Sequence, residues 1–330
     1  MLGITRRQFI TLLGGIAAWP LAARGQQRAL PVIGFPNGLS PDGFADRLRA
    51  FHQGLKDAGF AEGENVTVEY RWSDGQFDRL PTLAAELVRR QVNVIAAPGG
   101  ANLALAAQSA TRAVPIVFMV AEDPVKLGLV ASLARPGGNL TGVNVFNDEI
   151  VAKRLEILCR LVPNAARVAV LINPSDPDQM DTVVRDLEAA ARVIGLQIMV
   201  LKASTSAQID AAFATLERER PDALFVTGDT LFTGRRFQLV NLASYHHLPA
   251  TYSTRSFPDV GGLMSYGSNV TDAYRQVGSY TGRILKGEKP VNLPVVQPTK
   301  FELVINNQAA RILGVTVPPM LLAIADEIIE

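Results

Sequence analysis

From residue 31 onward, short β-branched runs alternate with amphipathic helical stretches, and this alternation restricts the chain to open parallel sheets with helices on both faces. Residues 31–35, 66–70, 92–96 and 115–120 have the composition of buried strands. Between them, 44–58 carries Phe44, Leu48, Phe51 and Leu55 at helical spacing and stops at Gly59, and 79–90 and 101–112 read as further helices. The alternation breaks at Gly137-Gly138-Asn139 before a strand at 140–145 and then restarts. The second series comprises helices at 150–161, 178–194, 207–218 and 239–246, with strands at 168–172, 197–201, 223–226, 250–252 and 263–267. A last helix, 269–286, leads into the proline-rich, extended stretch 290–298. The expected fold is α/β: two doubly wound parallel-sheet lobes joined by a hinge. Lobe 1 is expected at 26–145 plus about 268–288, and lobe 2 at 146–267 plus about 289–330, with 144–147, 266–269 and 296–299 as the hinge segments.

The first 25 residues fall outside this pattern. Arg6-Arg7-Gln8-Phe9 precedes a short apolar run that ends at Leu21, and Ala23-Arg24-Gly25 supplies small residues before Gln26. This arrangement describes a cleavable export signal, and the paired arginines favour the twin-arginine (Tat) route over the Sec route. A membrane-spanning helix needs about 20 apolar residues, so an anchor is the weaker reading. No cysteine follows the apolar run to carry a lipid. A soluble periplasmic protein beginning near Gln26 is expected.

Removing Arg6, Arg7 and Arg24 from 32 basic residues leaves 29 against 31 acidic ones, a balance of −2 with no basic run. That excludes a nucleic-acid partner, which would require clustered Lys and Arg. Cys159, the sole cysteine, sits in the helical pattern Leu155-Leu158-Cys159-Val162 and reads as a small buried hydrophobe. Of the three histidines, His246 and His247 are adjacent, not at metal-binding spacing, and His52 stands alone. Neither a nucleophile elbow nor a phosphate-binding glycine loop occurs, so no catalytic residue, metal or cofactor is assigned. Glu122-Asp123 is a carboxylate pair only in sequence, and Asp123-Pro124 has the form of a turn with its cap.

In open α/β sheets the ligand crevice lies beyond the carboxyl ends of the strands. The candidate residues there are Asn37, Gly99, Gly100 and Ala101, Asp123, Asn144, Asn173 with Ser175, Asp229 and Thr230, Tyr252 with Arg255, and Tyr266. Pro98-Gly99-Gly100 opens a helix whose free amides favour an anion. Arg255 suits a carboxylate, Asp229 or Asp123 an ammonium, and Phe232, Tyr252 and Phe257 a ring. Each of these residues also has an ordinary structural reading as a cap, a turn or a boundary residue.

Several long stretches resemble the ABC transporter substrate-binding proteins of the tryptophan/tyrosine type. They are the leader Arg6–Gly15 with Ala18–Arg24, then Pro115-Ile116-Val117-Phe118, Asp123-Pro124-Val125, Gly137–Val143, Gly261–Gly267 and Leu293–Glu302. The resemblance implies a type I periplasmic binding fold that captures a small ligand, an aromatic amino acid or another small carboxylate, by hinge closure. It also implies a membrane permease and its ATPase as partners. A sensor module reading the same closed form, or an exported enzyme using the same cleft, are the alternatives. A cytoplasmic repressor of similar lobes is disfavoured by the leader and by the lack of a helix-turn-helix ahead of the first lobe.

Overall fold

A computed structural model of the chain describes residues 30–41, 44–145, 150–174, 177–298 and 301–330, with side chains described from 181 onward in the helix that begins at Pro177. The expected export signal lies outside them.

Lobe 1 is a five-stranded parallel sheet in the order β2-β1-β3-β4-β5. Its strands are β1 Val32–Asn37, β2 Thr67–Trp72, β3 Val94–Ala97, β4 Ile116–Val120 and β5 Leu140–Asn144. Three helices connect them: α1 Ala45–Asp57, α2 Leu80–Arg89 and α3 Ala101–Ala110. The sheet is buried on both faces, as its unbroken apolar strands require. Phe35, Phe51, Tyr274 and Val277 fill one side, and Leu87, Leu103 and Phe118 the other.

Lobe 2 is a seven-stranded sheet in the order β12-β11-β10-β9-β8-β6-β7. It contains α4 Val151–Leu161, β6 Arg167–Ile172, α5 Pro177–Ile194, β7 Gln197–Lys202, α6 Ser206–Glu219, β8 Ala223–Val226, α7 Thr230–Gly234, α8 Arg236–Tyr245, β9 Ala250–Tyr252 and β10 Met264–Ser268. After α9 Val270–Leu285 the chain returns to this sheet as β11 Phe301–Asn306, α10 Asn307–Ile312, α11 Pro319–Ile324 and β12 Glu327–Ile329. The sheet departs from the all-parallel expectation at one place, where β11 runs antiparallel to β10. The chain re-enters from the other lobe at that point, and no crossover helix turns it round.

Helix α9 belongs to lobe 1 and lies on α1. A Cβ at Gly54 would stand 1.9 Å from the Arg275 carbonyl oxygen, and one at Gly278 would stand 2.1 Å from that of Phe51. Glycine at both positions lets the two backbones meet. The following segment stays with lobe 1 further than the expected boundary near 288. Val296 accepts from the Asn144 amide at 2.8 Å and donates to the Gly142 carbonyl at 3.0 Å, and the Thr141 hydroxyl donates to the Leu293 carbonyl at 2.6 Å. The outer edge of β5 offers unpaired backbone groups, and the proline-rich chain satisfies them before crossing over. The chain thus passes from lobe 1 to lobe 2 between Val145 and Ile150, back to lobe 1 between β10 and α9, and to lobe 2 again between Pro298 and Phe301.

Candidate ligand-binding site

Between the lobes lies a cavity of about 330 Å³, bounded by the carboxyl ends of the strands. From lobe 1 it is lined by Asn37, Arg47, Phe77, Met119, Glu122, Tyr274 and the 98–102 turn; from lobe 2 by Asn173, Ser204, Asp229, Thr230, Ser253 and Thr254. Seven of the residues singled out in the sequence meet here: Asn37, Gly99, Gly100, Ala101, Asn173, Asp229 and Thr230.

Gly100 caps α3 with φ of 86°, a left-handed conformation natural only to glycine. Its amide is engaged with the Met119 carbonyl at 3.2 Å. The amides of Ala101 and Asn102 follow in the first helical turn, where no intrahelical acceptor exists, at the positive end of the helix dipole. Opposite stands Asp229. One carboxylate oxygen accepts from the Leu231 and Phe232 amides at 2.7 and 3.2 Å, and the other accepts from the Asn173 side-chain amide at 3.1 Å. Burial pushes the Asp229 carboxyl above the usual carboxylate range, against these hydrogen bonds, which pull it down. The site thus offers amide donors on one lobe and a half-buried carboxylate on the other.

The remaining sequence candidates lie elsewhere. Asp123 is exposed and caps a turn, accepting from the Val125 and Lys126 amides at 2.9 and 3.3 Å. Asn144 is buried at the crossing, where it donates to the Val120 and Glu122 carbonyls at 3.2 and 2.8 Å and accepts from Gln297 at 3.2 Å. Arg255 is held by Asp259 and, through two bonds of 2.9 and 3.1 Å, by Glu327, which ties the loop after β9 to β12. Tyr252 is fully buried and stacks on Phe257 with centroids 4.3 Å apart, so this pair and the buried Phe232 build the lobe 2 core and leave no face for a ligand ring. Tyr266 packs beside Phe301. Ser175 is outside the described residues. The aromatic rings that do border the cavity are Phe77 and Tyr274.

Sequence reasoning missed Arg47, Asn102, Ser204, Ser253, Thr254 and Tyr274. Ser204, Ser253 and Thr254 follow strand ends, as Asn102 follows the glycine turn, so the same rule reaches them. Arg47 and Tyr274 come from within helices and carry no such signal.

Among the described residues no group of three or more His, Cys, Asp or Glu is placed to hold a metal ion. His52 is bonded to the Tyr70 hydroxyl at 2.9 Å, away from the cavity, and burial pushes the Cys159 thiol up to about 11. No described helix is long and apolar enough to cross a membrane.

Two α/β lobes with three crossings and a cavity between their strand ends make up the two-lobed fold of the periplasmic binding proteins. The chain belongs to the ABC transporter substrate binding protein family, whose model matches residues 33–329. It is 25% identical over 265 residues to a tyrosine-binding protein of Clostridioides difficile (strain R20291), covering 80% of this chain and 75% of that one. A conserved domain protein from Vibrio cholerae superposes with a TM-score of 0.82 at 26% identity, covering 90% of this chain and 99% of its own. An ABC domain from Streptococcus pneumonia in complex with L-Trp also gives 0.82, at 25% identity, covering 91% and 100%.

Proposed function

We propose that this chain is the exported solute-binding component of an ABC importer and captures an α-amino acid between its lobes. The observation that carries the reading is the pairing of the α3 first turn with Asp229. A ligand carboxylate is met by the Ala101 and Asn102 amides and the helix dipole, and the ligand ammonium by the Asp229 carboxylate. Because the two groups sit on different lobes, a ligand that touches both favours the closed arrangement over the open one, and only such differential contact drives closure. The tyrosine-binding relative and the L-Trp complex support an amino acid as cargo. The family supports a permease and its ATPase as the readers of the closed form, with residues 1–25 as the export signal. The role is capture without chemical change.

A thermal-shift screen of residues 26–330 against amino acids, aromatic carboxylates and short peptides tests this. A ligand at 100 times its dissociation constant stabilises by about 2.7 kcal/mol. A shift with one class of amino acid, recovered intact afterwards, is the expected outcome. A compound that is consumed makes the protein an enzyme, and the absence of any shift with amino acids removes the reading.

A further inference from the structure

Beside the main cavity, and sharing Leu39, Arg47, Phe77 and Leu231 with it, lies a recess of about 140 Å³. Arg47 enters it from α1 of lobe 1, and Arg235 and Arg236 enter from the start of α8 on lobe 2. Three arginines thus line one mouth of the cleft, and the charges of Arg47 and Arg236 act on each other. None of the ion pairs among the described residues includes any of them. Asp74 lines the recess without pairing to them, and Asp259 acts on Arg236 only as a charge at longer range.

The partners these arginines do have are neutral. Arg47 lies over the Phe44 ring at 5.2 Å and the Tyr274 ring at 6.0 Å. Arg236 lies over Phe237 at 4.8 Å and donates to the Thr233 carbonyl at 3.3 Å. Burial and the charge of Arg47 both lower the basicity of Arg236, so the two cations repel across the cleft. A second observation comes from Asn37, 1% exposed and lining the main cavity. Its carbonyl oxygen accepts from the Leu39 amide at 2.9 Å, while its buried side-chain NH2 has the Tyr274 hydroxyl beside it but makes no well-formed hydrogen bond. A buried donor whose neighbouring acceptor is poorly placed has a hydrogen left to give, and this one faces the ligand cavity.

We propose that Arg47 and Arg236, one from each lobe, with the side-chain amide of Asn37, form an anion subsite, so that the ligand carries a second acidic group beyond its amino-acid head. This rests on the amino-acid reading above, since it takes the α3 amides and Asp229 as holding the head. The second group bridges the two guanidiniums, relieves their repulsion and rewards closure; a ligand with a neutral tail leaves it standing. The cargo class is then an amino acid with a carboxylate or phosphate on its side chain, not a neutral aromatic one.

Calorimetric titration with three matched pairs of probes decides it: L-glutamate and L-glutamine, 4-carboxy-L-phenylalanine and 4-carbamoyl-L-phenylalanine, O-phospho-L-tyrosine and L-tyrosine. The acid is expected to bind at least about tenfold tighter than its neutral partner in one or more pairs. That preference should weaken with added salt, and Arg47→Met and Arg236→Met should each bring the ratio close to one. Which acid wins separates carboxylate from phosphate. Arg47 packs on two rings, so its variant is checked for folding by circular dichroism; Arg236→Met, half exposed, tests the same clamp should Arg47→Met not fold. Neutral partners that bind as tightly as the acids, or a preference that survives in the folded variants, overturns the subsite while leaving amino-acid capture in place. No heat from any of the six probes overturns both.

Discussion

Gly100 of lobe 1 faces Thr230 of lobe 2 so closely that a Cβ on the glycine would stand 2.9 Å from the threonine hydroxyl oxygen. A second contact, Gly234 against Leu39 at 2.9 Å from a notional Cβ, repeats the arrangement further along the cleft. The lobes therefore touch at two points along the cleft, and glycine is what lets them do so.

Gly100→Ala is expected to act twice. Its φ of 86° strains any side chain, which costs about 1 kcal/mol in the free protein. The new methyl also meets Thr230 only when the lobes close, which weakens ligand binding further. Adding Thr230→Ala should recover part of the lost affinity and none of the lost stability. Titration calorimetry and melting curves of the single and double variants separate the two effects; affinity losses that simply add would show that the lobes do not meet there on binding.

Asp229 gives a pH signature. Its folded-state pKa lies above the ordinary carboxylate value because of burial, so its protonated form favours the fold. That contribution is complete below the unfolded pKa and lost as pH rises through the raised one, so the ionised carboxylate at neutral pH destabilises the free protein. Asp229→Asn keeps a good helix cap. It is expected to melt no lower than the parent at neutral pH, yet to bind amino acids at least about 30-fold more weakly, ~2 kcal/mol. As pH is lowered, the parent should lose affinity before the usual carboxylate range is reached, and the variant should lack that slope. Parallel pH series by calorimetry would expose a mistake if both proteins titrate alike.

Tyr252 and Arg255 follow a strand end yet lie outside the cavity. The Tyr252 hydroxyl is buried without a hydrogen-bond partner, so Tyr252→Phe should leave stability unchanged or raise it slightly. The Arg255 ion pairs are a third or more exposed, so Arg255→Met should lower stability by no more than about 1 kcal/mol. Amino-acid affinity should stay within about twofold in both. A tenfold loss in either would put these side chains back among the ligand contacts.

The α1–α9 crossing is a packing prediction. Gly54→Ala forces the Arg275 carbonyl away and should destabilise lobe 1 by about 1–3 kcal/mol, as overpacking does. Urea unfolding checks it; a variant as stable as the parent would mean that the helices yield without penalty.

The alternation of strand and helix was legible through β10 and α9, except at the five-residue α7, because the longer elements carry their own composition and stop signals. The C-terminal return was not. Helices α10 and α11 have six residues each, too few for a helical period to register, and β11 is fixed by its partner β10, some 40 residues earlier. The site divided in the same way. Asn37, Gly99–Ala101, Asn173 and Asp229 sit where the strand-end rule places them. Arg47 and Tyr274 reach the cavity only because the α1–α9 pair leans over it, and Tyr252 and Phe257 turn into the core because lobe 2 needs the volume more than the cleft does.

The most direct test of capture by the amino-acid head is to take the amino acid with the largest thermal shift and titrate it beside its N-acetyl derivative and its methyl ester. N-acetylation removes the charge that Asp229 meets, and esterification removes the one that the α3 amides meet. Loss of at least about 30-fold in affinity for each, ~2 kcal/mol, is the expected result. Either derivative binding as tightly as the parent amino acid would contradict capture of that end of the ligand by the paired lobes.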